Sequence, residues 1–145
     1  MRELYQELIL GHNKNPRNRR EILDATHMHE GFNPLCGDRV TIFLKIHDGI
    51  VEDAAFQGVG CAISTASTSM MTEAIQGKTE ADVEAIADAF SNLVLRIGPP
   101  DQERLGKLAV FAGVGEFPAR VKCATLSWHT LRAALEGKPE AVTTE

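Results

Sequence analysis

The chain has 145 residues, of which 43% are hydrophobic, enough to bury one core without disulfide staples, so a single domain over residues 1–145 is expected. A formal net charge of -5 argues against nucleic acid as a partner, since phosphate binding needs a concentrated basic surface. The opening Met1-Arg2-Glu3-Leu4-Tyr5 soon turns polar, with no apolar run of signal-peptide or membrane-spanning length, which points to a cytoplasmic protein with no membrane partner.

In chain order, Leu4, Tyr5, Leu8, Ile9 and His12 recur at helical spacing, and Asn13-Lys14-Asn15-Pro16 supplies residues that end a helix. The short basic cluster Lys14, Arg17, Arg19 and Arg20 reads as a solvated loop or a partner contact. A short strand is expected near Thr26 to Gly31. Val40, Ile42, Leu44 and Ile46 then alternate with Thr41, Phe43, Lys45 and His47 at the period of a strand. Asp48-Gly49 favours a two-residue type I′ hairpin turn, with Ile50 to Gln57 as the returning strand.

From Cys61 the pattern is helical, with Ile63, Ala66, Met70 and Ala74 on one face and Gly77 at the end. Thr79-Glu80-Ala81-Asp82 resembles a capping box opening a helix whose stripe runs from Val83 to Ile97 before Gly98-Pro99-Pro100. A shorter helix is expected from Asp101 to Ala112. Pro118 suits the first turn of a last helix that buries Val121, Ala124, Trp128, Leu131 and Leu135. Met70, Met71 and Trp128 read as core, and the tail after about residue 137 as disordered. The class is α+β, a small antiparallel sheet of two to three strands packed with about five helices.

Three cysteines in a reducing compartment are not a disulfide framework, which leaves metal binding, catalysis or simple burial. The hairpin offers a geometric test. Extending the register outward from His47 opposite Ile50 sets Cys36 opposite Cys61, and Asp38 shares the face of Cys36 if the chain stays extended at Gly37. Gly58, Gly60 and Gly37 remove side chains where backbone passes close to an ion or another strand. Cys61 at a helix start, and Cys123 beside Arg120 and Lys122, stand where a thiolate is favoured.

Three thiolates and one carboxylate, Cys36, Asp38, Cys61 and Cys123, make a tetrahedral set that suits Zn(II), and the same thiolates suit an iron-sulfur cluster. Taken singly, each cysteine is equally a small buried hydrophobe and Asp38 a turn cap. His27 and His29 are further candidate ligands at strand spacing. No glycine-rich phosphate loop is present, because Gly58-Val59-Gly60 lacks the third glycine.

At these residues the chain resembles the U-type iron-sulfur cluster assembly family, which includes IscU, SufU and the N-terminal domain of NifU. The resemblance is carried by Asn15-Pro16-Arg17-Asn18, Asn33-Pro34-Leu35-Cys36-Gly37-Asp38, Gly58-Val59-Gly60-Cys61-Ala62-Ile63-Ser64 and Arg120-Val121-Lys122-Cys123-Ala124-Thr125-Leu126. It is closer to the SufU type than to the IscU type. IscU proteins have a histidine before the last cysteine and a chaperone-bound Leu-Pro-Pro-Val-Lys segment, whereas here Lys122 precedes Cys123 and the segment reads Phe117-Pro118-Ala119-Arg120-Val121-Lys122.

The resemblance implies an IscU/SufU-like fold and a zinc protein that accepts persulfide sulfur from a pyridoxal-phosphate cysteine desulfurase of the SufS type, and then serves downstream cluster assembly or acceptor proteins. Cys36 matches the acceptor thiol; Asp38, Cys61 and Cys123 match the residues that keep the zinc. Arg120 matches an arginine that supports partner docking or an anionic persulfide. Within the family the alternative is a scaffold for a transient [2Fe-2S] cluster, with Asp38 keeping it labile. A reading from another class is a structural-zinc domain used for protein binding.

Overall fold

The computed structural model describes residues 2–34, 36–137 and 141–143. Helix α1 (Arg2–Lys14) is followed by β1 (His27–Asn33), β2 (Asp38–His47) and β3 (Ile50–Val59). Helices α2 (Ala62–Ile75), α3 (Glu80–Leu95), α4 (Gln102–Leu105) and α5 (Pro118–Glu136) come next, with a 3₁₀ stretch, Gly106–Glu116, before α5 and a two-residue strand β4 (Val142–Thr143) after it. The fold is α+β as expected, with four strands among the described residues rather than two or three. The sheet order is β3-β2-β1-β4, antiparallel except where β4 runs parallel to Gly31 and Phe32 of β1. Of the tail expected to be disordered, residues 138–140 and 144–145 lie outside the described residues.

Alternation along β2 divides its side chains between two layers. Val40, Ile42 and Leu44 join the main core with Ala54 and Phe56 of β3, under α2 and α5. Phe43 and Ala55 face the other way and are covered by Ile22 and Ala25. In the helical layer Trp128 stacks on Phe90 with ring centroids 4.6 Å apart, Phe111 meets Phe90 edge-on at 5.5 Å, and the indole N–H donates to Ser67 Oγ. Met70, Met71 and Trp128 are core residues. The helix expected from Asp101 to Ala112 is cut to four residues, because the chain turns at Gly106 with a φ of +52° and continues as 3₁₀ turns. No helix of the described residues is long and apolar enough to cross a membrane.

The hairpin turn is of the expected type, with positive φ at both Asp48 and Gly49. His47 faces Ile50 and Ile46 faces Val51, but a bulge then sets Lys45 opposite Asp53, and the strands continue in that shifted register to Arg39 opposite Val59. The extrapolated pairing of Cys36 with Cys61 is therefore one residue out. The bulge sits next to the turn, between Lys45 and Ile46, where nothing in the sequence marks it. The basic segment is tied to this edge of the sheet: Arg19 donates to the carbonyl of Gly58 at 2.5 Å, and Arg20 forms a two-bond ion pair with Asp53.

Candidate metal centre

Asn33 and Asp38 face each other at the mouth of the β1–β2 hairpin, and Cys36 sits in the turn between them. That turn is closed by the Cys36 N–H, which donates to the carbonyl of Asn33 at 3.2 Å. Gly37 has a φ of +70°, so the chain is not extended there, and the expectation that Cys36 and Asp38 share one face of a strand fails. The turn instead carries Cys36 outward while Asp38, 2% exposed, points inward as the first residue of β2.

Asp38 reaches the start of α2. Its Oδ1 accepts the Cys61 N–H at 2.8 Å, and its Oδ2 lies 3.7 Å from Cys61 Sγ. Cys61 is the N-cap of α2, its sulfur accepting the Ser64 N–H at 3.4 Å in the place usually held by a serine or aspartate oxygen. The close approach explains Gly60, where a Cβ would stand 3.1 Å from Asp38 Oδ1 and 3.2 Å from Ser64.

Cys123 arrives from the early part of α5. It is 4% exposed, its Sγ is 3.3 Å from Cys36 Sγ, and the Nδ2 of Asn33 lies 3.6 Å from the same sulfur. Ligand atoms of Cys36, Asp38 and Cys123 all lie within 4.8 Å of one another; Cys61 is outside that mutual set and meets it through Asp38. His27 and His29 are not part of the group: they stand on β1 opposite Leu44 and Ile42, with the His27 ring against Thr26 Oγ1.

The donor set suits a tetrahedral ion. Bonds of about 2.3 Å to sulfur and about 2.1 Å to oxygen set neighbouring donor atoms roughly 3.5–3.8 Å apart. The separations of 3.3 Å between Cys36 and Cys123 and 3.7 Å between Asp38 and Cys61 are close to that edge, and Cys61 would have to move toward the other three to complete a four-ligand set. Without a cation the thiolate form of Cys123 is disfavoured. Burial pushes the Cys123 thiol far above its ordinary range, and Cys36, Cys61 and Asp38 add to the shift. The expectation that Arg120 and Lys122 would favour a Cys123 thiolate is therefore corrected. Lys122 lines a separate groove between α3, α5 and β4, and Arg120 lies over the ring of Phe117, 4.6 Å from its centroid.

A cavity of about 690 Å³ opens onto the sulfurs, lined by Cys36, Cys61, Cys123 and Arg120 and closed on one side by Ile9 and Leu10 of α1. Two contributors to the site carry no clear mark in the sequence. The face of α1 was legible as amphipathic but nothing showed where it docks. Asn33 opens the Asn33-Pro34-Leu35-Cys36-Gly37-Asp38 motif, but nothing in the sequence marks its side chain as a neighbour of Cys123.

The NifU-like N terminal domain family matches residues 4–124. The chain is 44% identical to the zinc-dependent sulfurtransferase SufU of Bacillus subtilis (strain 168) over 128 residues, covering 88% of this chain and 86% of that protein. It is 40% identical to the iron-sulfur cluster assembly scaffold protein IscU of Streptococcus pyogenes serotype M1 over 141 residues, covering 97% of this chain and 88% of that protein. A crystal structure of a SUF-system iron-sulfur cluster assembly scaffold protein from Fervidobacterium islandicum AW-1 superposes with a TM-score of 0.86 at 37% identity, covering 92% of this chain and 97% of that one. The chain belongs to the NifU-like N-terminal family of iron-sulfur cluster assembly proteins, with relatives of both the SufU and the IscU kind.

Proposed function

We propose that this family member is a sulfur relay in iron-sulfur cluster assembly: Cys36 accepts sulfane sulfur from a pyridoxal-phosphate cysteine desulfurase and yields it to downstream assembly or acceptor proteins, while Asp38, Cys61 and Cys123 retain Zn(II). The observation that carries the reading is the unequal exposure of three convergent thiols. Cys36 is exposed on a turn, Cys61 is half-buried at a helix cap, and Cys123 is buried in α5. A partner's persulfide reaches the first most easily.

In the transfer the Cys36 thiolate attacks the outer sulfur of the donor persulfide. A new S–S bond forms on Cys36, the donor's S–S bond breaks, and its electron pair leaves on the donor cysteine as thiolate, with no net oxidation. Bound at these residues, zinc supplies the positive charge that keeps the buried thiols deprotonated. Of the four residues that would hold the ion, Cys36, exposed on its turn, is the one whose thiolate would be freed to attack if a partner group replaced it. Arg120, at the mouth of the cavity, offers a cation to the anionic persulfide or to the docking partner. The relative named as a zinc-dependent sulfurtransferase supports this reading beyond what shared fold alone would.

The relatives named as scaffolds favour a second reading, in which a [2Fe-2S] cluster is cargo assembled on the same three sulfurs and Asp38. A purely structural zinc is disfavoured by the apolar core around Phe90, Phe111 and Trp128, which does not depend on the four ligands. The deciding experiment incubates the zinc-loaded chain with a cysteine desulfurase and cysteine, then locates added sulfur by mass spectrometry. Persulfide on Cys36 is expected. Persulfide confined to Cys61 or Cys123 overturns the assignment, and no persulfide together with cluster formation from iron and sulfide favours the scaffold.

A further inference from the structure

Asn33, not itself a candidate ligand, touches the site at three points. Its backbone carbonyl accepts the Cys36 N–H at 3.2 Å, its backbone pairs with Asp38 across the hairpin, and its side-chain Nδ2 lies 3.6 Å from Cys123 Sγ. The side chain is fully buried, and its Oδ1 has no hydrogen-bond partner among the described residues. Leaving a buried carbonyl unmatched is costly, and a leucine, of the same branched shape, would avoid that cost. What the amide supplies that leucine lacks is an N–H aimed at sulfur.

We propose that Asn33 is a positioning residue whose carboxamide N–H holds Cys123 as the ligand that stays with the metal, leaving Cys36 as the thiol that exchanges. The inference rests on the zinc-holding role given above to Cys123. A hydrogen bond donated to a coordinated thiolate orients the sulfur and draws electron density from it, which makes that sulfur a weaker nucleophile toward an incoming persulfide. Cys36 receives no such donor from Asn33: the contact to Cys36 is through the backbone and serves the turn. The same residue thereby treats the two sulfurs, 3.3 Å apart, differently.

The test compares full-length wild type with Asn33→Leu, loaded with Zn(II) for affinity and with Co(II) for spectroscopy. The variant is expected to bind zinc about tenfold more weakly in chelator competition, within the range seen when an outer partner of a ligand is removed. Its thiolate-to-cobalt charge-transfer absorption should move to lower energy. The melting temperature of the metal-free form should hold or rise, since the unmatched Oδ1 is gone. A merely space-filling Asn33 predicts unchanged zinc affinity and an unchanged cobalt spectrum, and that result overturns the proposal. Should Asn33→Leu fail to fold, the smaller Asn33→Val, uncharged and likewise without the N–H, is read by the same two measurements. Wild type that binds no zinc sinks the metal reading of the site; wild type that binds zinc, with a variant that matches it, sinks only the role of Asn33.

Discussion

Cys36 Sγ lies 3.3 Å from Cys123 Sγ, although 87 positions separate the two residues in sequence. The contact joins the exposed turn after β1 to the buried first half of α5. It makes these two sulfurs the pair that an oxidant should join in the metal-free protein, with Cys61 left free. Mild oxidation followed by peptide mapping without reduction checks this, and zinc should slow the reaction because a coordinated thiolate is a poorer nucleophile. A bond that includes Cys61 would contradict the geometry.

Asp38 has two separable duties. Oδ1 accepts the Cys61 N–H at 2.8 Å and so anchors the start of α2, whereas Oδ2 faces the sulfurs. Asp38→Asn should keep an acceptor for that N–H and retain most of the stability while altering metal exchange, because a neutral amide is a poor ligand. Asp38→Ala should alter exchange and also lose about 1 kcal/mol, the cost of removing a hydrogen bond from a part-buried donor. Chelator-competition kinetics and thermal melts of the two variants separate the effects. Identical melting temperatures with unchanged release would remove Asp38 from the ligand set.

Much of this site was legible, for reasons that differ by residue. Asp48-Gly49 announces the hairpin because few other dipeptides accept positive φ twice, and the alternation from Val40 to Ile46 gives the buried face. The register was not legible as far as the cysteines, since a bulge beside Lys45 leaves no mark in hydrophobic periodicity. Cys36 and Asp38 do meet at one site, but by a left-handed turn at Gly37 rather than by sharing a strand face.

Cys123 depends on tertiary packing that no local pattern reports. Helix α5 lies so close on β1 that a Cβ at Gly31 would stand 2.1 Å from Thr130 Oγ1. That approach sets Cys123 above Asn33. It is also why Asn33, an ordinary turn-flanking residue in the sequence, becomes a buried donor.

His12 gives the fold a pH dependence of definite sign. Its ring is 4% exposed, bonded through Nδ1 to Ser69 Oγ at 2.6 Å, with Nε2 3.5 Å from Glu73. Burial, then Arg17 and more weakly Lys107, lower its pKa below 6.5, and Glu73 only partly opposes them. The unfolded chain therefore binds the proton more readily, and stability is lost as pH falls through about 6.5, by up to about 1.4 kcal/mol per pH unit for a full proton. His129, lowered by burial and Arg132, adds in the same direction. Melts of the metal-free protein between pH 5 and 7.5 should show this slope, and His12→Gln should flatten it. A variant with the wild-type slope would assign the dependence elsewhere.

The three cysteines should respond unequally to replacement by serine, in an order set by their surroundings. Cys36 is exposed and outside any helix, so Cys36→Ser costs little packing and leaves Asp38, Cys61 and Cys123 to keep zinc at reduced affinity. Cys61→Ser substitutes an oxygen that caps helices well, so the fold should survive there too, while a thiolate ligand is lost. Cys123→Ser places a hydroxyl at a 4% exposed position facing Asn33 and Cys36, and should lower the melting temperature most while releasing the metal. Acceleration of a partner desulfurase should vanish in Cys36→Ser even when zinc is present. In the other two variants it should fall in proportion to metal content and return in part when zinc is added in excess. Metal analysis, melting curves and desulfurase turnover on one set of preparations test the order. Full acceleration by a zinc-loaded Cys36→Ser protein would mean that the exposed thiol is not the acceptor.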